Sequence, residues 1–160
     1  MNLYRYPFNG IGYRFIIENF DVNIQTTKPD FCVALFTLTA KAAFINTEVE
    51  MRDNDLKSSN FFDVAKFPLI AFKSTSVQPL GNNQYKLIGN LTMHDIAKPV
   101  AMNLLYRSTI TKPMMKKDDA DFKLHGTINS IDFNMGSKYP SAVISDALTI
   151  EAYGEFAKDN

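Results

Sequence analysis

The residues able to do proton or ion chemistry are few: His94 followed by Asp95, His125, Cys32, and the pair Arg52-Asp53. A histidine oriented by a carboxylate can serve as a general base. His94 would need a nucleophile to act on, and no motif fixes a Ser, Thr or Cys beside it. Its position between two strand-like runs reads as a turn histidine with an exposed neighbour. His125 falls on the polar face of a strand pattern and is expected to meet solvent or a charged partner. Two His and one Cys, scattered along the chain, do not make a zinc site. Asp63, Asp118, Asp119 and Asp121 lack the spacing of a calcium loop. Gly10 and Gly12 lack the third glycine of a dinucleotide fingerprint, and no Gly-x-Ser-x-Gly elbow is present. The expectation is a protein with no catalytic residues, no metal and no cofactor. Arg52 is always charged, and its fork suits a carboxylate or a phosphate. It reads either as a contact to a ligand's polar head or, preferably, as a local ion pair with Asp53 that ties a helix to the body. Lys98 and Lys138 are lesser candidates of the same kind.

Something must position these groups, and composition bounds what it is. The chain has 160 residues, 17 basic and 17 acidic, with formal net charge zero. That length suits one domain over residues 1–160. It also buries enough surface to need no staple. The absence of a basic block argues against nucleic acid as the main partner. With a single cysteine, Cys32, no disulfide forms within the chain. Cys32 lies in an apolar run and reads as a small buried hydrophobe. No window approaches the roughly 18 apolar residues of a membrane-spanning helix. No signal peptide is visible at the N-terminus. Localisation stays open: cytoplasmic if Met1 is the natural start, periplasmic if a signal was removed.

Alternation of period two dominates the chain. In residues 84–92, Tyr85, Leu87, Gly89 and Leu91 face one way; in 121–130, Phe122, Leu124, Gly126 and Ile128 do so; in 147–157, Leu148, Ile150, Ala152, Gly154 and Phe156. Each pattern predicts a strand with one buried face. Further strands are expected at 12–17, 20–26, 33–44, 69–77 and 99–109. Within 33–44, Phe36, Leu38, Ala40, Ala42 and Phe44 share the apolar face. Turns are expected at 28–30, 79–83, 112–119 and 135–141, and a short helix near 53–62, opened by Asp and Asn caps. About eight antiparallel strands with one helix predict an all-β up-and-down barrel or a sandwich.

The connector from Met51 to Pro68 is unusual. It places Phe61, Phe62 and Phe67 within seven residues. Leaving them exposed would forgo roughly 1.5–3 kcal/mol each. They are expected to press on the mouth of the barrel.

Several motifs resemble the YceI family. Ile45-Asn46-Thr47 is followed by Arg52-Asp53 and Leu56-Lys57-Ser58. Phe61-Phe62-Asp63 precedes Phe67-Pro68, Phe72 and Ser74-Thr75. Tyr85, Gly89-Asn90-Leu91-Thr92-Met93-His94 and Lys98-Pro99-Val100 come next. Gly126-Thr127-Ile128-Asn129, Asp132-Phe133 and Ser145-Asp146 close the series. The likeness spans roughly 12–158. The chain departs from the pattern at Asp55, Asp95 and Asn134, and residues 1–11 do not match the family's opening strand. A missing strand would leave a seam, to be filled by the N-terminal segment or a second chain. The resemblance implies a lipocalin-like barrel that binds a polyisoprenoid or another long-chain lipid.

On that basis the inward rows form a candidate apolar cavity: Phe36, Leu38 and Phe72; Tyr85, Leu87 and Leu91; Met102 and Leu104; Phe122, Leu124 and Ile128; Leu148 and Ile150. Phe61, Phe62 and Phe67 would shape its entrance, and residues 53–67 would be the lid. Arg52 and His94 are the candidate head-group contacts. Carriage, storage or sensing of an isoprenoid quinone, polyprenyl or fatty amide would follow. Two other readings stand beside it: side chains that fill the barrel completely, and an interaction protein that forms a homodimer through an open edge without any lipid.

Overall fold

The computed structural model describes residues 2–5, 13–27, 31–112, 117–138 and 145–157. Ten strands form one antiparallel sheet: β1 (Asn2–Arg5), β2 (Tyr13–Ile17), β3 (Phe20–Gln25), β4 (Leu35–Lys41), β5 (Ile45–Asn46), β6 (Leu69–Gly81), β7 (Gln84–Met93), β8 (Ile96–Lys112), β9 (Lys117–Asn129) and β10 (Ala147–Ala157). Their order is β3-β4-β6-β7-β8-β9-β10-β1-β2-β5.

The two ends of that order are one ribbon. Only Glu18-Asn19 separates β2 from β3, and only the 3-10 turn Ala42–Phe44 separates β4 from β5. Across this bend, Glu18 N–H donates to the Phe44 carbonyl (3.2 Å) and Lys41 N–H to the Asn19 carbonyl (3.0 Å). With each bent pair counted once, the described residues form eight staves, and the ladder returns on itself. The result is the expected lipocalin-like barrel, of a size that side chains nearly fill.

Alternation builds its core. Ile70, Phe72 and Ser74, then Leu87, Gly89 and Leu91, then Met102 and Leu104 point inward and are buried. A register shift between Ser74 and Ser76 leaves Thr75 as a bulge and returns Val77 to the interior. There the buried Ser74 hydroxyl accepts the Phe36 N–H (2.9 Å), so the polar group inside the wall is satisfied. Gly89 faces Ser74 across the ladder beneath the Phe72 ring. A Cβ there would lie 2.4 Å from the Lys73 carbonyl oxygen.

Several local expectations change. The helix, α1, spans Glu50–Lys57 and follows Val49, which makes no side-chain cap bond. Asp53 is not the cap: its carboxylate accepts from the Thr47 N–H (2.8 Å) and hydroxyl (2.6 Å), tying α1 to the end of β5. Phe44 is not inward but 46% exposed, because the 3-10 turn breaks the alternation after Lys41. Cys32, expected to be fully buried, sits half-buried in a turn. The opening strand is not wholly missing: Asn2–Arg5 forms β1 between β10 and β2. The 79–83 turn is as expected, with Gly81, Asn82 and Asn83 at positive φ. The turn at 28–30, the middle of the 112–119 connection and residues 139–141 lie outside the described residues.

β1 spans only part of the barrel's height. It pairs with β10 over Leu148–Glu151 and with β2 over Tyr13–Ile16. Past it, the outer edge of β3 and the edge of β10 from Ala152 onward have no ladder partner among the described residues.

Candidate ligand-binding site

The inward rows line an apolar cavity of about 50 Å³. Seven of the expected residues line it: Phe36 and Leu38 on β4, Phe72 on β6, Leu87 on β7, Leu104 on β8, and Phe122 and Leu124 on β9. Sequence reasoning left out the rest. Phe20, Val22 and Ile24 of β3 and Ala152, Gly154 and Phe156 of β10 close the other side. Thr37 and Tyr153, which alternate outward, complete the lining. The signal for the β3 residues was present, since Phe20-Asp21-Val22-Asn23-Ile24-Gln25 alternates strictly. Among the described residues the lining holds no carboxylate, imidazole, amine or thiol.

The other expected residues lie elsewhere. Leu91, Met102, Ile128, Leu148 and Ile150 are buried in the core but do not border the cavity. Phe61 and Phe62, each 4% exposed, plug the barrel at the helix end. Their loop is strapped down: Gly136 N–H donates to the Asn60 carbonyl (3.0 Å), and Lys138 Nζ donates to Asn60 Oδ1 (2.9 Å). The void therefore does not lie behind Phe61 and Phe62. At the opposite end Phe31 packs on Tyr85, Tyr106 and Phe122, with ring centroids 6.1, 5.5 and 5.2 Å away. Phe31 has φ 57°, a left-handed conformation that costs a bulky residue on the order of 1–3 kcal/mol. The packing of its ring compensates for that cost.

His94 occupies the tight turn from β7 to β8, with φ 54°. The Phe67 ring packs edge-on against it, with centroids 4.3 Å apart. Its Nε2 is buried without a hydrogen-bond partner. Both side chains sit outside the cavity lining, as does Arg52 on α1.

The second histidine belongs to a polar cluster on the barrel's outer wall. His125 Nδ1 and Lys123 Nζ each lie 3.5 Å from Glu151 Oε1. The Tyr153 hydroxyl donates to Glu151 Oε2 (3.3 Å). Burial pushes the Glu151 carboxyl up, but Lys123, Tyr153 and His125 more than reverse this and hold it below its ordinary value. The Tyr153 hydrogen bond, aided by the charge of Glu151, holds the Lys123 ammonium above its usual value despite desolvation. The cluster is a set of partly solvated ion pairs.

A curled antiparallel sheet with a small apolar interior defines the class: a lipocalin-like β-barrel. A family model described as YceI-like domain matches residues 12–156. The chain belongs to the YceI family. A UPF0312 protein of Staphylococcus aureus is 29% identical over 144 residues, covering 88% of this chain and 81% of the relative. Among solved structures, the Campylobacter jejuni YCEI protein superposes with a TM-score of 0.85 at 22% identity, over 92% of this chain and 86% of that one. A polyisoprenoid binding domain from Saccharophagus degradans reaches 0.71 at 12% identity, over 99% and 92%. At these identities the structural likeness is one of fold.

Proposed function

We propose that this protein binds a single long apolar chain, of isoprenoid or acyl type, inside the barrel, and that it carries, stores or senses that molecule without acting on it chemically. The observation that carries the reading is the cavity lining, which is almost wholly apolar and, among the described residues, holds no carboxylate, imidazole, amine or thiol. The family membership and the fold shared with a polyisoprenoid binding domain support it.

Magnitudes set what binding requires. Burial contributes about 0.8 kcal/mol per methylene. A micromolar complex needs about 8 kcal/mol, or roughly ten buried methylenes. A void of about 50 Å³ accommodates only a few water-sized groups. The wall must therefore move outward to admit the chain. The half-buried residues of β3 and β10, on edges without a ladder partner among the described residues, form the part of the wall best able to yield.

Native mass spectrometry of gently purified protein, followed by solvent extraction, tests the proposal. A lipid adduct lost on extraction is expected. A clean apo mass with nothing extractable, from more than one expression host, overturns it.

The same edges, without a ladder partner among the described residues, favour a second reading, in which β3 or β10 of one copy pairs with another copy to form a dimer. Light scattering that gives a concentration-independent monomer removes it.

A further inference from the structure

We propose that Phe31 stands in for part of the ligand: its ring fills one end of the binding space in the empty protein, and the bound chain displaces it. This rests on the lipid-binding reading and adds the residue that competes with the ligand. The first observation concerns room. A void of about 50 Å³ holds only a few water-sized groups. A long chain therefore needs space that a side chain now fills. The void and the Phe31 ring share a wall. Phe122 lines the void, and the Phe31 ring meets it edge to face, with centroids 5.2 Å apart and planes at 81°. Phe122 also packs on Phe36 and Phe156, two further lining residues, with centroids 6.0 and 5.8 Å away. Phe31 thus extends the apolar lining past Phe122, and withdrawing its ring adds that space to the void.

The second observation is where this ring comes from. Phe36, Phe72, Leu87, Leu104 and Phe122 stand on strands held in ladders, so none of them leaves without breaking backbone bonds. Phe31 belongs to a turn. The ladder of β3 and β4 ends at Gln25 opposite Leu35. Phe31 lies between those two residues in sequence, in a turn closed by Ala34 N–H donating to the Phe31 carbonyl (2.9 Å). The ring can leave with its turn at no cost to that ladder.

The third observation is strain. Phe31 holds φ 57°, which a bulky residue keeps only where its surroundings impose it. A turn alone would be served as well by Gly or Asn. What Phe adds is the ring, seated on Tyr85, Tyr106 and Phe122. The cost of the backbone and the gain from burying the ring are of the same order, so the seat is a weak one. The plug at the helix end differs. Phe61 and Phe62 are 4% exposed, under a loop bonded through Asn60 to Gly136 and Lys138. Phe31 is only half-buried, beside Val33 at 52% exposed. An apolar chain that takes its seat keeps the aromatic contacts and releases the strain.

Two variants test the proposal. If the state with Phe31 displaced makes up about 10% or less of the empty protein, the apparent affinity is reduced by that fraction. Phe31→Ala removes the competitor. Titration with 11-(dansylamino)undecanoic acid, followed by its fluorescence, is expected to give a Kd about tenfold or more below that of the wild type. The chain has no tryptophan, so Phe31→Trp places a single reporter at the site. Saturating palmitic acid is expected to shift the indole emission to the red, as the ring moves into water. A Kd in Phe31→Ala equal to or weaker than that of the wild type overturns the proposal and leaves lipid binding in place. So does an indole emission that stays put or moves to the blue. Should Phe31→Ala fail to fold, the emission of Phe31→Trp decides alone. If neither the wild type nor a folded variant binds either acid, the lipid-binding reading itself fails, and the stand-in with it.

Discussion

Ala152→Val should make the protein more stable and a poorer binder at once. Ala152 is buried on β10 and faces the cavity. Valine adds two methyl carbons at a position whose strand geometry suits a β-branched residue. Filling a void of about 50 Å³ is worth at most about 1.2 kcal/mol at roughly 24 cal/mol per Å³. A gain of about 1 kcal/mol in a chain of 160 residues raises Tm by about 2–4 °C. The same two carbons remove room for about two ligand methylenes, about 1.6 kcal/mol, which weakens Kd roughly tenfold. Differential scanning calorimetry gives the first quantity and titration with the dansylated acid the second. A lower Tm together with unchanged affinity would refute the reasoning, because it would mean that the space beside Ala152 neither exists nor holds ligand.

Gly89→Ala should destabilise by roughly 1–3 kcal/mol, since the new methyl meets the backbone oxygen of Lys73 and the Phe72 ring; urea denaturation measures it. Ser74→Ala leaves the buried Phe36 N–H without its acceptor and should cost about 1–3 kcal/mol by the same assay. Asp53→Ala removes both bonds to Thr47 and should lower stability by about 1–2 kcal/mol, with hydrogen exchange rising first around α1. The Glu151 carboxyl titrates lower in the folded protein than in the unfolded chain, so its contribution is present above the ordinary carboxyl value. That contribution is lost as pH falls through the lower folded value. Glu151→Gln should flatten the acid limb of a stability–pH curve, and an unchanged limb would contradict the assignment.

The barrel was legible because alternation is a local signal. β10 and β7 run nearly where the alternation of Leu148 to Phe156 and Tyr85 to Leu91 puts them. What alternation cannot carry is phase across an irregularity. The bulge at Thr75 and the 3-10 turn at Ala42–Phe44 each shift which residue faces inward, and Phe44 was misplaced for that reason. β1 escaped notice because four residues are too few to show a period. Inward rows of large apolar residues place Phe72, Leu87 and Leu104 on one wall of the cavity. The wall at Ala152 and Gly154 is not legible in the sequence, because both residues look too small to matter until the space in front of them is seen. Phe61 and Phe62 were rightly expected to be buried. Their partners, the loop at Gly136 and Lys138, are too distant in sequence to be inferred.

Photo-crosslinking with a diazirine-bearing long-chain fatty acid, read by peptide mass spectrometry, tests most directly whether a chain occupies this interior. Adducts concentrated on peptides carrying Phe36, Leu87, Phe122 and Ala152, and competed away by an unlabelled isoprenoid alcohol, are the expected result. Labelling confined to exposed positions such as Met51 and Leu80, without competition, would contradict the account.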